Sequence, residues 1–358
     1  MTEPVDWDLA RRVATRVAGR EPFSVSYHAH SLLPDFNEFT AQAEELVAET
    51  TGLRSMAGDA RARVADREQW VDANLASFQR LLRPLLDRIS EKSSGSSLAA
   101  PIGRRLTALE LGGLLGWMST RVLGQYDLLV IEDENPDDQD IVYYVGPNVL
   151  ALEKRYAFPP QEFRLWLALH EVTHRAQFTG IPWMREHFLG LVNQTLDAVD
   201  PDPQRFLDGL KRMVEIKKAG GDPLADGGIA ALLASEEQRE ILDQIAGLMS
   251  LLEGHGDVTM DRAGADQIPS AERFGRVLRD RRSSTKGLMK LFQRIVGIDA
   301  KIQQYAQGEH FIEIVEKAGG TELLDQAWIG PEMLPSIQEI RDPELWITRM
   351  QPVEAQPA

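Results

Sequence analysis

The chain has 358 residues, 43% hydrophobic and 26% charged, which is typical of a globular protein with one large core or two packed lobes. Its formal net charge of −16 disfavours nucleic acid and anionic membranes as partners, because both bind through positive patches. The absence of cysteine excludes disulfides, thiolate metal ligands and a cysteine nucleophile. We find neither a signal peptide nor a run of about 18 apolar residues, so we expect a cytoplasmic protein.

The first third of the chain has the apolar periodicity of amphipathic helices, most clearly over residues 66–90. A serine-rich stretch at 91–100 has the composition of a loop. We therefore expect an N-terminal helical region at 1–90, a region at 101–350 that carries the chemistry, and a disordered tail at 351–358. The first two regions are expected to pack as one compact unit.

The clearest strand signal lies in the middle of the chain. The segments 126–131 and 141–145 are rich in β-branched and aromatic residues and flank an acidic stretch at 132–140, which predicts a hairpin. The acidic stretch lacks the donor pattern of an EF-hand and is interpreted as a solvated loop. An exposed strand here could pair with an extended substrate beside Tyr143 and Tyr144, and a small packing sheet is an equal alternative.

The most informative motif follows in a helix predicted at 161–178, between two prolines and Gly180. The residues His170-Glu171-Val172-Thr173-His174 have HExxH spacing, which places two imidazoles one helical turn apart, on the face expected to be buried. Both can reach one tetrahedral zinc ion, while Glu171 can hold and deprotonate a water molecule. Two buried imidazoles without a shared partner would lose roughly a few kcal/mol of hydrogen bonding, so a metal site is favoured over a histidine core.

A catalytic zinc site needs a third protein ligand, and Glu253 is the best candidate. It follows the apolar stripe of a helix predicted at 235–262, where a carboxylate requires a partner. Asp257, one turn later, suits an acceptor that orients a ligating histidine. His255 is the rival ligand, and a solvated acidic face is the alternative for the whole group. The interval between the motif and Glu253 is too long for local geometry to pair them.

The rest of the chain again has helical periodicity. Helices are predicted at about 184–198, 203–218, 285–296 and 299–317, with a glycine-rich loop at 220–228. The whole pattern predicts a mainly α fold of many helices, with a small hairpin or sheet beside the helix that carries the HExxH motif.

With these motifs the chain resembles the zincin-like metallopeptidases of type 2, an actinobacterial group of predicted zinc-dependent hydrolases. The matching segments are VDWDLARRVA (5–14), LGWMSTRVLGQYDLL (115–129), VGPNVLALEKRY (145–156), FRLWLALHEVTHRAQFTGIPWMR (163–185), LMSLLEGHGDVTMD (248–261) and ELWITRM (344–350). The resemblance implies a zincin-like fold, a metal-binding helix at His170, Glu171 and His174, and a downstream EGH segment at 253–255.

These observations together predict a zinc-dependent hydrolase that acts on a peptide or a small amide. One zinc ion would be held by His170, His174 and Glu253, with Glu171 as the general base. The alternative is a non-catalytic metal-binding or interaction protein, in which the zinc is structural. Glu171 distinguishes the two, because a purely structural site has no use for it.

Overall fold

A computed structural model describes the fold over residues 4–21, 23, 26–92, 100–126, 140–197, 236–283 and 298–351. Helices make up most of these residues, and a three-stranded sheet accompanies them, which confirms the predicted mainly α class. No helix in this part of the chain is long and apolar enough to span a membrane.

The chain divides into two compact units, and the first consists of Met1–Gly180 and Thr259–Phe274. Its helices and strands are α1 (Trp7–Ala18), α2 (Ala29–Thr51), β1 (Arg61–Ala65), α3 (Arg67–Lys92), α4 (Ala100–Ser119), β2 (Gly124–Tyr126), β3 (Ile141–Val145), α5 (Gly146–Tyr156) and α6 (Pro160–Gly180). The helices predicted at 66–90 and 161–178 are confirmed as α3 and α6.

Small residues let α1 and α4 pack backbone to backbone. Ala10 and Ala14 of α1 are fully buried, and they face Gly112 and Gly116 of α4. A Cβ atom on either glycine would overlap a carbonyl oxygen of α1. Glycine in a helix costs roughly 0.5–1 kcal/mol relative to alanine, so these positions favour close packing over helix propensity.

The sheet differs from the predicted hairpin. Its strand order is β1-β3-β2, with β1 parallel and β2 antiparallel to the central strand β3. Of the first predicted arm, 126–131, the structure describes only Tyr126, and of the acidic stretch, 132–140, only Asp140. The hairpin prediction missed β1, because a strand from far earlier in the chain leaves no local signal beside its partner.

Tyr143 and Tyr144 do not border an open edge, since β3 has a neighbour on each side. Tyr144 is fully buried, stacks on Phe36 with ring centroids 3.8 Å apart, and shares a 2.8 Å hydrogen bond with Thr40. Burial raises the pKa of its hydroxyl far above the ordinary value, and the nearby charge of Glu171 adds to the effect. These residues are part of the core.

Helix α6 is surrounded by protein on nearly every side. From residue 163 to residue 178, every side chain is buried except those of His170 and His174, which are half-buried. The expectation that the histidines lie on the buried face of an amphipathic helix was therefore wrong. Because α2, α5, β2 and β3 all pack on α6, the histidine face is its most open side.

Two buried arginines fasten α6 to its neighbours. Arg164 donates two hydrogen bonds, of 2.8 and 2.9 Å, to the carboxylate of Glu153 on α5. Arg175 lies within 2.6 Å of both Asp140 and Glu44. Only 2% and 1% of the two arginine side chains is exposed, so each charge is compensated by carboxylates rather than by water.

The second unit consists of Ile181–Val258 and Gly275–Ala358. The helices after α6 are α7 (Met184–Asp197), α8 (Glu236–Gly264), α9 (Ala271–Ser283), α10 (Ile298–Leu324), α11 (Ile337–Arg341) and α12 (Pro343–Met350), with 3₁₀ turns at Asp325–Trp328 and Pro331–Met333. Helices α8 and α9 each contribute residues to both units.

Helices α7, α8 and α10 confirm the predictions at 184–198, 235–262 and 299–317. Several predictions concern residues outside the described ones. These are the helices at 203–218 and 285–296, the loop at 220–228 and residues 352–358 of the tail.

The core of the second unit is built around Leu251 of α8, Phe311 and Val315 of α10, and Trp346 of α12, all fully buried. Trp346 meets Phe311 edge to face, with ring centroids 5.4 Å apart, and its Nε1 donates a 2.9 Å hydrogen bond to the carbonyl of Met333. This core holds the middle of α8 in place.

Candidate metal centre

The two histidines of the HExxH motif project from α6 with their Nε2 atoms 3.3 Å apart. Their ring centroids are 4.6 Å apart, and the ring planes are nearly perpendicular at 81°. Two nitrogens bound to one tetrahedral zinc ion at roughly 2.0–2.1 Å would be separated by about 3.3 Å. The separation therefore fits two ligands of a shared ion.

A neighbouring glutamine orients one of these imidazoles. Oε1 of Gln177, which is fully buried, lies 3.0 Å from Nδ1 of His174. Because an amide oxygen only accepts, Nδ1 carries the hydrogen and Nε2 keeps its lone pair for a metal. Sequence reasoning sought this acceptor at Asp257 and overlooked Gln177, although a residue three positions after His174 on a helix is within reach.

Glu253 of α8 completes a group of three potential ligands. The ligand atoms of His170, His174 and Glu253 all lie within 4.8 Å of one another, and among the described residues they form a group that could hold a metal ion. Two imidazole nitrogens and one carboxylate oxygen are the donor set of many catalytic zinc sites. The side chain of Glu253 is only 8% exposed, so the carboxylate is shielded from bulk water.

The glycine of the EGH segment, next to Glu253 in the chain, lies at a close contact between two helices. Gly254 of α8 lies against the backbone of Gly308 and Glu309 on α10, and a Cβ atom at Gly254 would be 2.6 Å from the nitrogen of Glu309. At the same crossing, a Cβ atom at Gly308 would overlap the carbonyl oxygen of Ser250. The two helices touch backbone to backbone one residue from the carboxylate.

The two other predicted residues of α8 are not in the group of converging ligand atoms. His255 is buried, and its ring lies edge to face with Trp328, with centroids 5.1 Å apart. Asp257 is half-buried one turn after Glu253. Their predicted roles, as alternative ligand and as orienting acceptor, stay predictions.

Glu171 lies between the two histidines in sequence but on a different side of α6, and its side chain is only 7% exposed. Strand β2 passes directly over it, so that the carboxylate faces the backbone of Gly124. In an HExxH motif, a carboxylate at this position in the sequence is the candidate general base.

The helical fold, the HExxH helix beside a small sheet and the nitrogen and oxygen donor set define the class of zincin-type metalloproteins. The chain belongs to the zincin-like metallopeptidase family, whose profile matches residues 5–347. This confirms the predicted family, which is one of hydrolases that use a metal, usually zinc.

A solved structure is similar over almost the whole chain. It is a crystal structure from Chloroflexus aurantiacus, described as a "putative hydrolase with a novel fold". The two sequences are 30% identical, and the TM-score is 0.69 over 97% of this chain and 98% of the other. No curated protein matches this chain significantly.

Proposed function

We propose that this protein is a zinc-dependent hydrolase that cleaves a peptide bond or a related amide bond. The observation that carries the proposal is the convergence of the ligand atoms of His170, His174 and Glu253, with the buried carboxylate of Glu171 on the same helix as the histidines. A purely structural zinc site uses four protein ligands and needs no neighbouring base.

The proposed site holds one zinc ion through Nε2 of each histidine and the carboxylate of Glu253. An ion held there supplies Lewis acidity, which acidifies water and polarises a carbonyl group. Glu171 accepts the proton of the attacking water and delivers it to the leaving nitrogen. Gln177 keeps His174 in the ligating tautomer. We retain Asp257 as a candidate acceptor for a histidine and His255 as the alternative ligand.

The direction of the backbone at Gly124 favours an extended peptide as substrate. The nitrogen of Val145 donates a 2.8 Å hydrogen bond to the carbonyl of Leu123, and the register pairs Gly124 with Tyr144. Since hydrogen-bonded and non-bonded pairs alternate in an antiparallel ladder, the N–H and C=O of Gly124 point away from β3. Among the described strands β2 is at the sheet edge, where a substrate could pair by strand addition.

The test of this function is Glu171→Gln, which removes the base but keeps the shape of the side chain. We expect the zinc content, measured by elemental analysis, to stay at the wild-type level, while turnover of a peptide library falls by about 10²–10⁴-fold. The matched control is Glu162→Gln, on the same helix but outside the motif, which should keep wild-type turnover.

Two outcomes would count against the proposal. Wild-type turnover by Glu171→Gln would show that this residue is not the base. A zinc-loaded wild-type protein that cleaves neither peptides nor acyl-amino compounds would favour the alternative, a metal site with a structural role. As a further check, Glu253→Gln should weaken zinc binding in a chelator competition, because it removes the only proposed anionic ligand.

A further inference from the structure

Strand β2 starts with a glycine, a residue type that does not favour β-strands. Glycine adds chain entropy to the unfolded state and contributes no side chain to pack, so strand interiors disfavour it. The backbone does not require it, because the φ of Gly124 is not positive, unlike that of Gly52 or Gly58. A reason for glycine at position 124 must therefore come from its surroundings.

The surroundings of Gly124 are filled by one side chain, that of Glu171. A Cβ atom at position 124 would lie 2.6 Å from Oε1, 2.7 Å from Cγ and 2.8 Å from Cδ of Glu171. All three distances are shorter than non-bonded carbon contacts allow. The carboxylate of Glu171 thus occupies the space that a side chain at position 124 would fill.

Glu171 has little room to move elsewhere. Val172 and Thr173, which follow it on α6, are buried, and Thr173 is tied to the carbonyl of Leu169 by a 2.7 Å hydrogen bond. On the sheet side, Tyr144 is the register partner of Gly124 and is itself held by stacking and by its bond to Thr40. A side chain at position 124 would have to displace either the carboxylate or the strand.

We propose that Gly124 is a positioning residue, which seats the carboxylate of Glu171 against β2 and presents its own N–H and C=O to the substrate backbone. One residue thereby sets the distance between the bound peptide and the base that acts on it. The inference rests on the proposed function for its catalytic meaning. The contact between Gly124 and the side chain of Glu171 is itself a packing relation that does not depend on catalysis.

The kinetic test is Gly124→Ala, with Gly113→Ala as the matched control. A Cβ atom at Gly113, on α4, meets nothing within 4 Å, so this variant should behave as wild type. We expect Gly124→Ala to keep full zinc content and to lower kcat at least tenfold, with a much smaller change in KM. Unchanged kcat would overturn the proposal.

The second test is a double-mutant cycle on stability, which needs neither substrate nor turnover. Gly124→Ala is introduced into the wild type and into Glu171→Ala, where the carboxylate is gone, and urea unfolding midpoints are compared. If Glu171 fills the space, Gly124→Ala should lower the midpoint in the wild type and lower it by less than half as much in Glu171→Ala. A single variant that fails to fold, beside a double variant that folds, is the same result in a stronger form.

An equal decrease of the unfolding midpoint in both backgrounds would show that Glu171 does not fill the space beside Gly124, whatever the activity of the protein. A strong coupling between the two substitutions in a protein without hydrolytic activity would support the contact between Gly124 and Glu171. It would count against the proposed function alone. The two proposals can therefore fail separately.

Discussion

Helices α6 and α8 both carry potential metal ligands, yet they are held in place by different physical means. Helix α6 is fastened by buried ion pairs, through Arg164 and Arg175. Helix α8 is fastened by close backbone contact, at Gly247 and Gly254. A Cβ atom at Gly247 would lie 2.6 Å from the carbonyl oxygen of Pro335, just before α11.

The two means of attachment match the way in which the candidate ligands of each helix are positioned. On α6 the two histidines are one turn apart, so their mutual geometry is local and the helix needs only to be anchored. On α8 the candidate ligand Glu253 is far in sequence from the two histidines, and its position depends on how closely the helix approaches its neighbours. Glycine permits the closest approach, because nothing separates the two backbones.

The largest expected effect concerns the ion pairs of α6. Arg175→Met leaves the partly buried carboxylates of Asp140 and Glu44 without their common partner, so we expect a loss of roughly 3 kcal/mol in the free energy of unfolding, measured in urea. The matched variant Arg11→Met removes an ion pair with Asp72 that lies in solvent and should leave the midpoint almost unchanged. Equal losses in the two variants would mean that burial gives these pairs no special role.

The next effect concerns the glycine contact of α8. Gly254→Ala pushes the helix away from Gly308, and we expect a loss of about 2 kcal/mol or more in the free energy of unfolding, as for other overpacked cores. Zinc affinity should fall as well, because Glu253 moves with its neighbour. Gly190→Ala, on α7 with nothing within 4 Å of the added Cβ, is the control and should be neutral or slightly stabilising. Wild-type stability in Gly254→Ala would show that close contact is dispensable.

The smallest of the three effects concerns the orientation of one ligand. Gln177→Met keeps the volume of the side chain but removes the acceptor for His174 Nδ1, so zinc affinity should fall about 10–100-fold in a chelator competition. Gln177→Glu keeps an acceptor oxygen and should retain more of the affinity. If both variants bind zinc like the wild type, packing alone orients His174, and α6 needs no polar partner for its ligands.

Sequence reasoning recovered several of the twelve α-helices in the described part of the chain. The segments that became α3, α6, α7, α8 and α10 each have an apolar periodicity, and this is a local signal. Strand β1 was not predicted, because it pairs with β3 from far earlier in the chain and no local pattern marks that pairing. The exposure of α6 was also misjudged, because a helix covered on almost all sides has no single buried face.

The candidate site also contains residues that a local sequence pattern predicted and residues that it did not. The HExxH spacing identified His170, Glu171 and His174, and Gln177 was within reach of the same local argument. Glu253 was selected from its place on an apolar stripe, and the assignment of all these residues as ligands, base or acceptor stays a prediction. The roles of Gly124 and Gly254 carried no signal in the sequence, because a glycine does not reveal what occupies the space beside it.

By itself, the sequence determined the mainly α class, the family and the helix with two imidazoles one turn apart. The class and the helix follow from periodicity and spacing, and the family follows from a resemblance along the chain; a chain carries these signals in any environment. Only the tertiary structure decided which side of α6 stays open, which strand covers Glu171, and that the carboxylate of Glu253 comes within 4.8 Å of the histidine nitrogens. Those relations join residues distant in the chain, and they arise from packing, in which each contact depends on the shapes of all its neighbours.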